Sequence, residues 1–483
     1  MKRLVLLAVL CVMLLTCSFA RAQIRWEEGE SLFGAAKTVS AGDLGLQKKG
    51  TLPVYAAPYE HASRGAKGKA SVSLKESFRL LAVSCDRSWL MIEYATSKKE
   101  NRVGWIRTPE DIKGSPLTEQ IEEISAASAL VAARKETFLT DDPRGKARRV
   151  RTVPAGEELK VIRAVVLPEK GSRWYLIDAE TEGKPIFGFV PAEDCTKEIP
   201  LLTLEGDTLA VREGVTMLGS SLFHYETDET GEDILEYDQA PAGTLNAGSL
   251  YIFDLLDLED EDWPEIRRIV LPSTLRILSE ESIVHMHVEE LALPEGVREM
   301  RGLSLYGMTI GWLVLPSSFT GDVISHLDYS SVGAYEVAPE NPVYAAVDGC
   351  LFSKDLKTLA AYANGRRDLH YDVPKGTKTI GENAFGDDLM AIPLQTISLP
   401  VGLKRIGKNA FSGCGRLISL AVPPTVTEIG ENAFSYCVSL ERLSLPAGFT
   451  ASLSQWVSPA DFSTYNGDNG ETRRSPKVRE EEY

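Results

Sequence analysis

Apolar residues in the C-terminal half of the chain recur in a pattern that repeats about every 22 to 23 residues. Each repeat carries a Leu-x-x-Leu-x-Leu core, whose last two apolar residues alternate with an outward position as in a short strand. Three repeats also carry the motif Ile-Gly-x-Asn-Ala-Phe, which begins at Ile380, Ile406 and Ile429. A fixed period of this length predicts a solenoid, in which each coil buries its apolar face only against neighbouring coils.

The same core can be followed upstream to Ile266, and the solenoid is predicted to occupy residues 200–453. Stacked short strands of this kind form a parallel sheet along one side of the coils. Between Phe223 and Ile266 the period is lost, and an acidic insertion over 226–262 accounts for the gap. The core triplets are Ile266/Ile269/Leu271, Val288/Leu291/Leu293, Ile310/Leu313/Leu315, Leu394/Ile397/Leu399, Leu417/Leu420/Val422 and Leu440/Leu443/Leu445.

A second interruption of the repeat lies at residues 341–362. It begins with Asn341-Pro342-Val343-Tyr344, continues through Asp348-Gly349-Cys350-Leu351-Phe352 and ends at Tyr362. The repeats and this interruption together resemble the BspA-like leucine-rich repeat family of bacterial surface proteins, whose members carry a similar hairpin between coils. The resemblance implies recognition of a protein or cell-envelope ligand at the bacterial surface, without catalysis.

Two N-terminal segments, 46–113 and 126–197, look like two copies of one small all-β unit. Each has short alternating strands separated by Gly, Pro and Asp turns, which predicts a small barrel. The order of their motifs, each closing on a Gly-aromatic-aliphatic sequence, resembles the bacterial SH3-like domain. That resemblance implies binding of cell-wall peptides. The predicted fold class is therefore multidomain and mainly β, with two SH3-like barrels followed by a leucine-rich repeat solenoid with a parallel sheet.

The segments around these domains are assigned from composition. Residues 23–45 form a leader to the first barrel, and residues 114–125 form a linker. Apolar residues at helical spacing, from Leu117 to Ile124, predict a short helix in the linker. Residues 454–483 are polar and charged, and are predicted to be a disordered tail.

The first residues of the chain, 1–22, have the layout of a signal peptide. Lys2-Arg3 precedes an apolar run over 4–15, and Ala20-Arg21-Ala22 is a small-x-small cleavage site. The run is too short to span a bilayer, so no transmembrane segment is predicted. The protein is expected to be exported and extracellular, periplasmic or associated with the cell surface. A loose lipobox ending at Cys17 leaves a lipoprotein as the alternative.

The net charge of −17 becomes more negative when the signal peptide is removed, because Lys2, Arg3 and Arg21 leave with it and no acid does. A strongly acidic chain is repelled by phosphate backbones, which excludes nucleic acid as a partner. The remaining cysteines are scattered and lack Cys-x-x-Cys spacing, so no disulfide scaffold is predicted. Cys414 and Cys437 share one repeat offset, which favours a stacked pair of buried thiols over a disulfide.

No catalytic constellation is found in the sequence, which has neither a Gly-x-Ser-x-Gly elbow nor a His-Glu-x-x-His motif. The protein is therefore predicted not to be an enzyme and to need no cofactor. The acidic insertion offers weak calcium candidates in Asp257, Glu259 and Glu261, although the glycine of an EF-hand loop is missing.

The outward positions of the predicted parallel sheet suggest a binding surface. Reading along equivalent strand positions gives Arg268, Glu290 and Trp312 in one row, with Val314 beside them. An exposed Trp flanked by charges is typical of an interface anchor. In the first barrel, Tyr59 lies in a loop and is the candidate for a ligand groove. The predicted function is surface adhesion to an extracellular or host protein; the alternative is a role in peptidoglycan remodelling through peptide binding by the barrels.

Overall fold

The computed structural model describes most of the chain between residues 37 and 446, together with a short C-terminal strand. The described residues are 37–39, 44, 50–59, 61–75, 77–84, 87–96, 101–109, 122–124, 126–143, 148–167, 171–219, 224–227, 233–236, 243–251, 265–385, 392–446 and 477–480. The chain divides into two units. The first joins Met1–Leu202 with Gly214–Gly248, and the second joins Thr203–Glu213 with Ser249–Tyr483.

The first unit begins with a mainly antiparallel sheet around the core of Leu80, Leu90, Ile92 and Ile106, all of which are fully buried. Nearly every residue of its two central strands is buried rather than every second one, and one short helix, Gly65–Gly68, is inserted. The five strands of this sheet are Lys37–Val39, Phe78–Ser84, Trp89–Ala95, Asn101–Arg107 and Glu122–Ile124, and Thr51–Pro53 pairs separately with Ser71–Ser73.

Two segments outside the predicted barrel boundaries belong to this sheet. Lys37–Val39 pairs antiparallel with Phe78–Leu80, although it was assigned to the leader. Glu122–Ile124 pairs in parallel with Ala82–Ser84 and Ile124 is buried, so the predicted linker helix is wrong for these residues. Backbone N–H and C=O groups at the open edge of the sheet pair with those of this segment. This pairing outweighs the weak helical preference that the spacing of its apolar residues indicates.

A second sheet in the same unit has six antiparallel strands around Val131, Leu139, Val161 and Ile177. A short 3-10 turn, Ala192–Asp194, follows the last strand. The strands of this sheet are Ala129–Ala132, Thr137–Thr140, Arg149–Val153, Glu158–Leu167, Ser172–Thr181 and Lys184–Pro191. Outside this sheet, the unit also contains Met217–Leu218 and an antiparallel pair of strands, His224–Thr227 and Asp233–Glu236. Both segments therefore form small β modules, as expected, while their SH3-like character stays a prediction.

Residues 214–248 belong to this first unit, whereas the sequence placed them in the solenoid. The backbone explains the difference, because the Asn246 N–H donates to Ala127 O at 2.9 Å. The Lys160 ammonium also donates to Gly243 O. These contacts hold the segment against the second module.

The second unit is a β-solenoid. Its first sheet has six strands: Leu202–Glu205, Thr208–Val211, Arg268–Val270, His287–Ala292, Thr309–Leu315 and Ser331–Val337. From Thr208–Val211 onward these strands pair in parallel, one strand for each coil. Two other sides of these coils carry short parallel pairs, Ile277–Leu278 with Glu299–Met300 and Leu250–Tyr251 with Ile283–Val284. Ile324–His326 is a 3-10 turn. The predicted parallel sheet is thus present.

The hairpin between coils joins two parts of the solenoid. Tyr344–Val347 and Cys350–Ser353 pair antiparallel, and Thr358–Ala361 returns the chain to the coils. Beyond the hairpin, a second parallel set continues on one side with Thr379–Ile380, Arg405–Ile406 and Glu428–Ile429, and on the other with His370–Asp372, Thr396–Ser398, Ser419–Ala421 and Arg442–Leu445.

One part of the tail has a defined strand. Lys477–Glu480 pairs in parallel with Arg442–Leu445, the last core strand of the solenoid. The prediction of a disordered tail is therefore wrong for these residues. A terminal coil presents unpaired backbone N–H and C=O groups, and the tail strand supplies their partners.

The cysteines of the described residues are free thiols. Cys414 and Cys437 are both buried in successive coils and are not bridged, which agrees with a stacked pair of small side chains. The Cys437 thiol donates to Phe411 O at 3.2 Å. Burial raises the pKa of the Cys414 thiol to about 12, so it stays protonated and unreactive near neutral pH.

Candidate functional site

The parallel sheet of the first coils carries a row of outward side chains, which we call the Trp312 row. Arg268 lies opposite Glu290, Glu290 opposite Trp312, and Trp312 opposite Ala334 in the register of the strands. Gly311, the residue before Trp312, lies where the backbones of neighbouring coils come close together. Leu313, the residue after it, is buried in the core. The alternation of the strand therefore places the indole outward, and 55% of Trp312 is exposed.

A second row two residues further along the strands extends the apolar surface. Ala292 lies opposite Val314, and Val314 lies opposite Glu336. Val314 is half-buried, whereas Val270 on the strand of Arg268 is 51% exposed. Ala292 and Val314 thus add small and aliphatic side chains beside Trp312, and Glu336 follows them in the second row.

The charged members of the row are adjacent but not paired. Arg268 and Glu290 are both exposed and make no ion pair among the described residues. The neighbouring Arg267, in contrast, lies 3.0 Å from Glu265 and 3.6 Å from Glu289. Arg268 and Glu290 consequently keep a guanidinium and a carboxylate available to a partner.

The hairpin between coils reaches the end of the Trp312 row. A side chain at Gly349 would meet Ala334 Cβ at 3.2 Å, so the hairpin turn packs on the last residue of the row. Trp312 keeps its 55% exposure beside it. The row therefore has a defined boundary on the side of the hairpin.

Tyr59, the groove candidate of the first module, lies beside an aromatic ring of the second. It is half-buried, and its ring meets Phe187 edge-on with 6.0 Å between centroids. Phe187 also meets Trp105 edge-on at 5.8 Å, and its N–H donates to Ala56 O at 2.8 Å. Tyr59 thus lies where the two modules of the first unit touch. Three other aromatic residues of the modules, Trp89, Trp105 and Phe189, are buried, whereas Trp174 is half-buried.

The metal candidates lie outside the described residues. Asp257, Glu259 and Glu261 all fall in 252–264, of which the structure describes nothing. Among the residues that are described, no group of three or more His, Cys, Asp or Glu could hold a metal ion. Cys17 and the rest of the predicted signal peptide also lie outside the described residues.

The structure shows a second candidate site that sequence analysis missed. It is a cleft of about 530 Å³ that crosses several coils beside the Asn-Ala-Phe segments, and we call it the Asn cleft. Asn383, Asn409 and Asn432 line it at equivalent positions of three successive coils. Their φ angles of 51°, 52° and 53° lie in the left-handed region, which Asn tolerates better than most residues. The sequence does show Asn at the same position of three repeats. The left-handed backbone conformation at that position is enough to explain this repetition, so it did not by itself indicate a site.

Tyrosines and serines complete the Asn cleft. Tyr329 and Tyr436 line it and are 42% and 50% exposed, whereas Tyr362 and Ser435 line it and are buried. Burial raises the pKa of the Tyr362 phenol, which therefore remains a neutral hydroxyl at physiological pH. The cleft is a surface of amides, hydroxyls and aromatic rings.

Comparisons with known proteins agree with the repeat architecture. Residues 362–457 match the BspA type Leucine rich repeat region, in six copies. Among curated proteins, none matches the chain. No helix of the described residues is long and apolar enough to cross a membrane.

Several solved structures are similar to parts of the chain. A leucine-rich repeat protein from Eubacterium ventriosum is 16% identical over 50% of this chain and 62% of its own, with a TM-score of 0.34. The pneumococcal vaccine antigen PcpA is 20% identical over 59% of this chain and 82% of its own, with a TM-score of 0.32. A leucine rich cell surface protein from Faecalibacterium prausnitzii is 16% identical over 52% of this chain and 90% of its own, with a TM-score of 0.25.

The chain spans less than two thirds of the length of the first of these proteins. Leucine-rich repeat proteins are generally non-enzymatic binding proteins, and BspA-like members are typically found at the cell surface. The C-terminal unit of this chain is a solenoid with leucine-rich repeats of the BspA type over residues 362–457.

Proposed function

We propose that this protein is a secreted, non-enzymatic adhesion protein of the bacterial cell surface, and that it recognises an extracellular protein through the Trp312 row. The observation that carries the proposal is the 55% exposure of Trp312 on an ordered parallel sheet. A large aromatic side chain is costly to leave in water, and Trp and Arg are the side chains most often found as interface anchors.

The charges beside Trp312 favour a protein as the ligand. Arg268 and Glu290 are adjacent along the row and have no ion-pair partner among the described residues. Opposite charges side by side match a partner surface that carries both signs, and they fix the orientation of a bound protein. Val270 and Val314 extend the apolar area around the indole. We infer that Trp312 anchors the partner while Arg268 and Glu290 orient it.

The N-terminal modules have a proposed accessory role. Their motif order and their small antiparallel sheets support the inference that they are SH3-like domains. Tyr59 packs against Phe187, so we propose that it joins the two modules rather than lining a ligand groove. Export is supported by the signal-peptide layout of residues 1–22. N-terminal sequencing of the native protein tests it, with Gln23 expected as the first residue and a lipid-modified Cys17 as the contrary result.

The binding proposal is tested by immobilising the mature protein and measuring binding to a panel of purified extracellular matrix proteins and to purified peptidoglycan. Trp312→Ala should weaken binding of a matrix protein by about 2 kcal/mol or more and leave thermal unfolding unchanged. Val401→Ala is the matched control, because Val401 is an apolar side chain of the same solenoid that is 88% exposed. Binding of every matrix protein at wild-type affinity by Trp312→Ala, or binding of peptidoglycan alone, would exclude the proposed site.

A further inference from the structure

We infer that the Asn cleft is a binding site for a neutral, linear oligosaccharide. The cleft belongs to the solenoid unit and lies apart from the Trp312 row, none of whose members lines it. Its volume of about 530 Å³ suits a small organic ligand, since such sites usually measure about 300–1,000 Å³. The inference stands independently of the proposed adhesion through Trp312.

Three amides form a ladder along the cleft. Asn383, Asn409 and Asn432 occupy one repeat position, and their backbones share nearly the same left-handed conformation. Adjacent coils of a parallel sheet lie about 4.8 Å apart, so the same amide recurs at that interval. A ligand that repeats its hydrogen-bonding groups along its length can use successive amides in the same way.

The amides of the ladder are available for a ligand. Among the described residues, the side chains of Asn383, Asn409 and Asn432 make no hydrogen bond, and only their backbones do. Each amide offers two N–H donors and a carbonyl acceptor. Sugar hydroxyls both donate and accept, so they can satisfy both ends of an amide.

Two residues that line the cleft have buried hydroxyls without hydrogen-bond partners among the described residues. Tyr362 and Ser435 are both 2% exposed, and neither hydroxyl has a hydrogen-bond partner in the part of the chain that the structure describes. A buried polar group without a partner destabilises the fold. Both residues line the cleft, so its wall contains hydroxyl as well as amide groups.

The charge of the cleft selects a neutral ligand. No Lys or Arg is among the described residues that line it, and Asp328 is the single carboxylate there. Anionic ligands such as phosphates, nucleic acids or uronic-acid polymers would meet no counter-charge and one repulsive carboxylate. The chemistry of the site therefore favours a ligand without formal charge.

Exposed aromatic rings lie on the first and last coils that contribute to the cleft. Tyr329 is 42% exposed and Tyr436 is 50% exposed. The face of an aromatic ring carries partial negative charge, which attracts the weakly positive C–H groups on one face of a sugar. Aromatic rings at both ends and amides between them fit an extended chain of several sugar units.

The test titrates the full mature protein with linear hexasaccharides in a calorimeter. The probes are cellohexaose, maltohexaose, xylohexaose and N-acetylchitohexaose, with hexagalacturonate as the anionic contrast. At least one neutral probe should bind, and hexagalacturonate should bind at least tenfold more weakly. Asn409→Gly and Tyr436→Asn should each reduce the affinity by about tenfold or more, equivalent to the loss of one good contact.

These substitutions are chosen to preserve the fold. Residues 409 and 436 both have positive φ, which Gly and Asn accept without strain. Trp312→Ala is the control on the other surface and should bind the same hexasaccharide with unchanged affinity. The inference is overturned if no neutral hexasaccharide binds, if hexagalacturonate binds equally well, or if Asn409→Gly and Tyr436→Asn, with unchanged melting, bind as tightly as the wild type.

Discussion

The Phe411 ring stacks on the Phe434 ring of the next coil, with 5.7 Å between centroids and 10° between ring planes. Phe385 stacks on Phe411 at 4.9 Å, and Tyr362 stacks on Phe385 at 5.2 Å. All four rings are buried, so they form one continuous aromatic core through four coils. The sequence placed Phe411 and Phe434 in successive coils, and this prediction is confirmed.

Removal of one ring from the middle of this stack should strongly destabilise the solenoid. Phe411→Ala should lower the free energy of unfolding by about 3–5 kcal/mol, because a cavity opens between the two neighbouring rings and coils stabilise only each other. Urea unfolding measures the loss. Val401→Ala, at an exposed position of the same coil, should change it by less than about 0.5 kcal/mol. Equal melting of the two variants would contradict the stacked core.

The glycine of the Ile-Gly-x-Asn-Ala-Phe motif is required by the close approach of coils. A Cβ on Gly407 would lie 2.7 Å from the backbone N of Glu382 and 2.8 Å from Gly381 O. Both are backbone atoms, so Gly407→Ala should destabilise the solenoid by about 3 kcal/mol. Gly415→Ala is the matched control, because the nearest atom to its Cβ would be Val438 Cγ2 at 3.6 Å. Similar denaturation midpoints for the two variants would show that coil spacing does not depend on Gly407.

Asn341 ties the hairpin to the preceding coil. It is fully buried; its Nδ2 donates to Pro316 O and Phe319 O, both at 2.8 Å. Its Oδ1 accepts the N–H groups of Val343 at 2.9 Å and Tyr344 at 2.8 Å. The Asn341 amide therefore bonds to four backbone groups and ties the start of the hairpin to the preceding coil.

Asn341→Ala should lower the free energy of unfolding by about 3 kcal/mol, because it removes four hydrogen bonds between a buried side chain and the backbone. Faster hydrogen exchange of the amides at 343 and 344 should accompany the loss. Glu340→Ala, at the exposed preceding residue, serves as the control and should leave both measurements unchanged. Protected amides in Asn341→Ala would contradict the proposed role of the side chain.

The first unit contains a carboxyl whose burial makes stability depend on pH. Burial raises the pKa of Asp178 to about 6, against the opposing attraction of the Lys160 ammonium. An unfolded Asp titrates near pH 4, so between about pH 4 and pH 6 the folded state binds more protons than the unfolded state. Stability should therefore fall as the pH rises through this window.

Asp178→Asn should remove this dependence. Relative to the wild type, the variant should gain up to about 3 kcal/mol of unfolding free energy between pH 4 and pH 7, because a neutral amide has no charge to desolvate. Urea unfolding at the two pH values, monitored by tryptophan fluorescence, measures the change. A difference between variant and wild type that is the same at both pH values would show that Asp178 does not titrate as proposed.

The sequence determined the features that repeat locally. The apolar period fixed which residues face the core, and the strand alternation placed Trp312 outward. Both follow from the backbone geometry of a short stretch, which needs no knowledge of distant contacts. The hairpin motif at Asn341 is predicted from its resemblance to the BspA-like family, whereas its four hydrogen bonds appear only in the structure.

Other features depended on which distant residues meet. Tyr362 looked like the end of a hairpin, yet it stacks on Phe385 and extends the aromatic core. Ile124 and Lys477–Glu480 were assigned to a helix and to a disordered tail, yet both segments pair with the edge of a sheet. The open edge of a sheet can pair with any strand segment that reaches it, and the local composition of the segment does not predict this pairing.

The Asn cleft shows most clearly the difference between what a local sequence pattern predicts and what depends on contacts between coils. The sequence displays Asn383, Asn409 and Asn432 as a repeated letter, which backbone conformation alone would explain. Only the stacked coils bring the three amides into one cleft with Tyr329 and Tyr362, which come from other coils. A period determines how each coil folds on itself, whereas a site is made by side chains from several coils, and their proximity arises only when the coils stack.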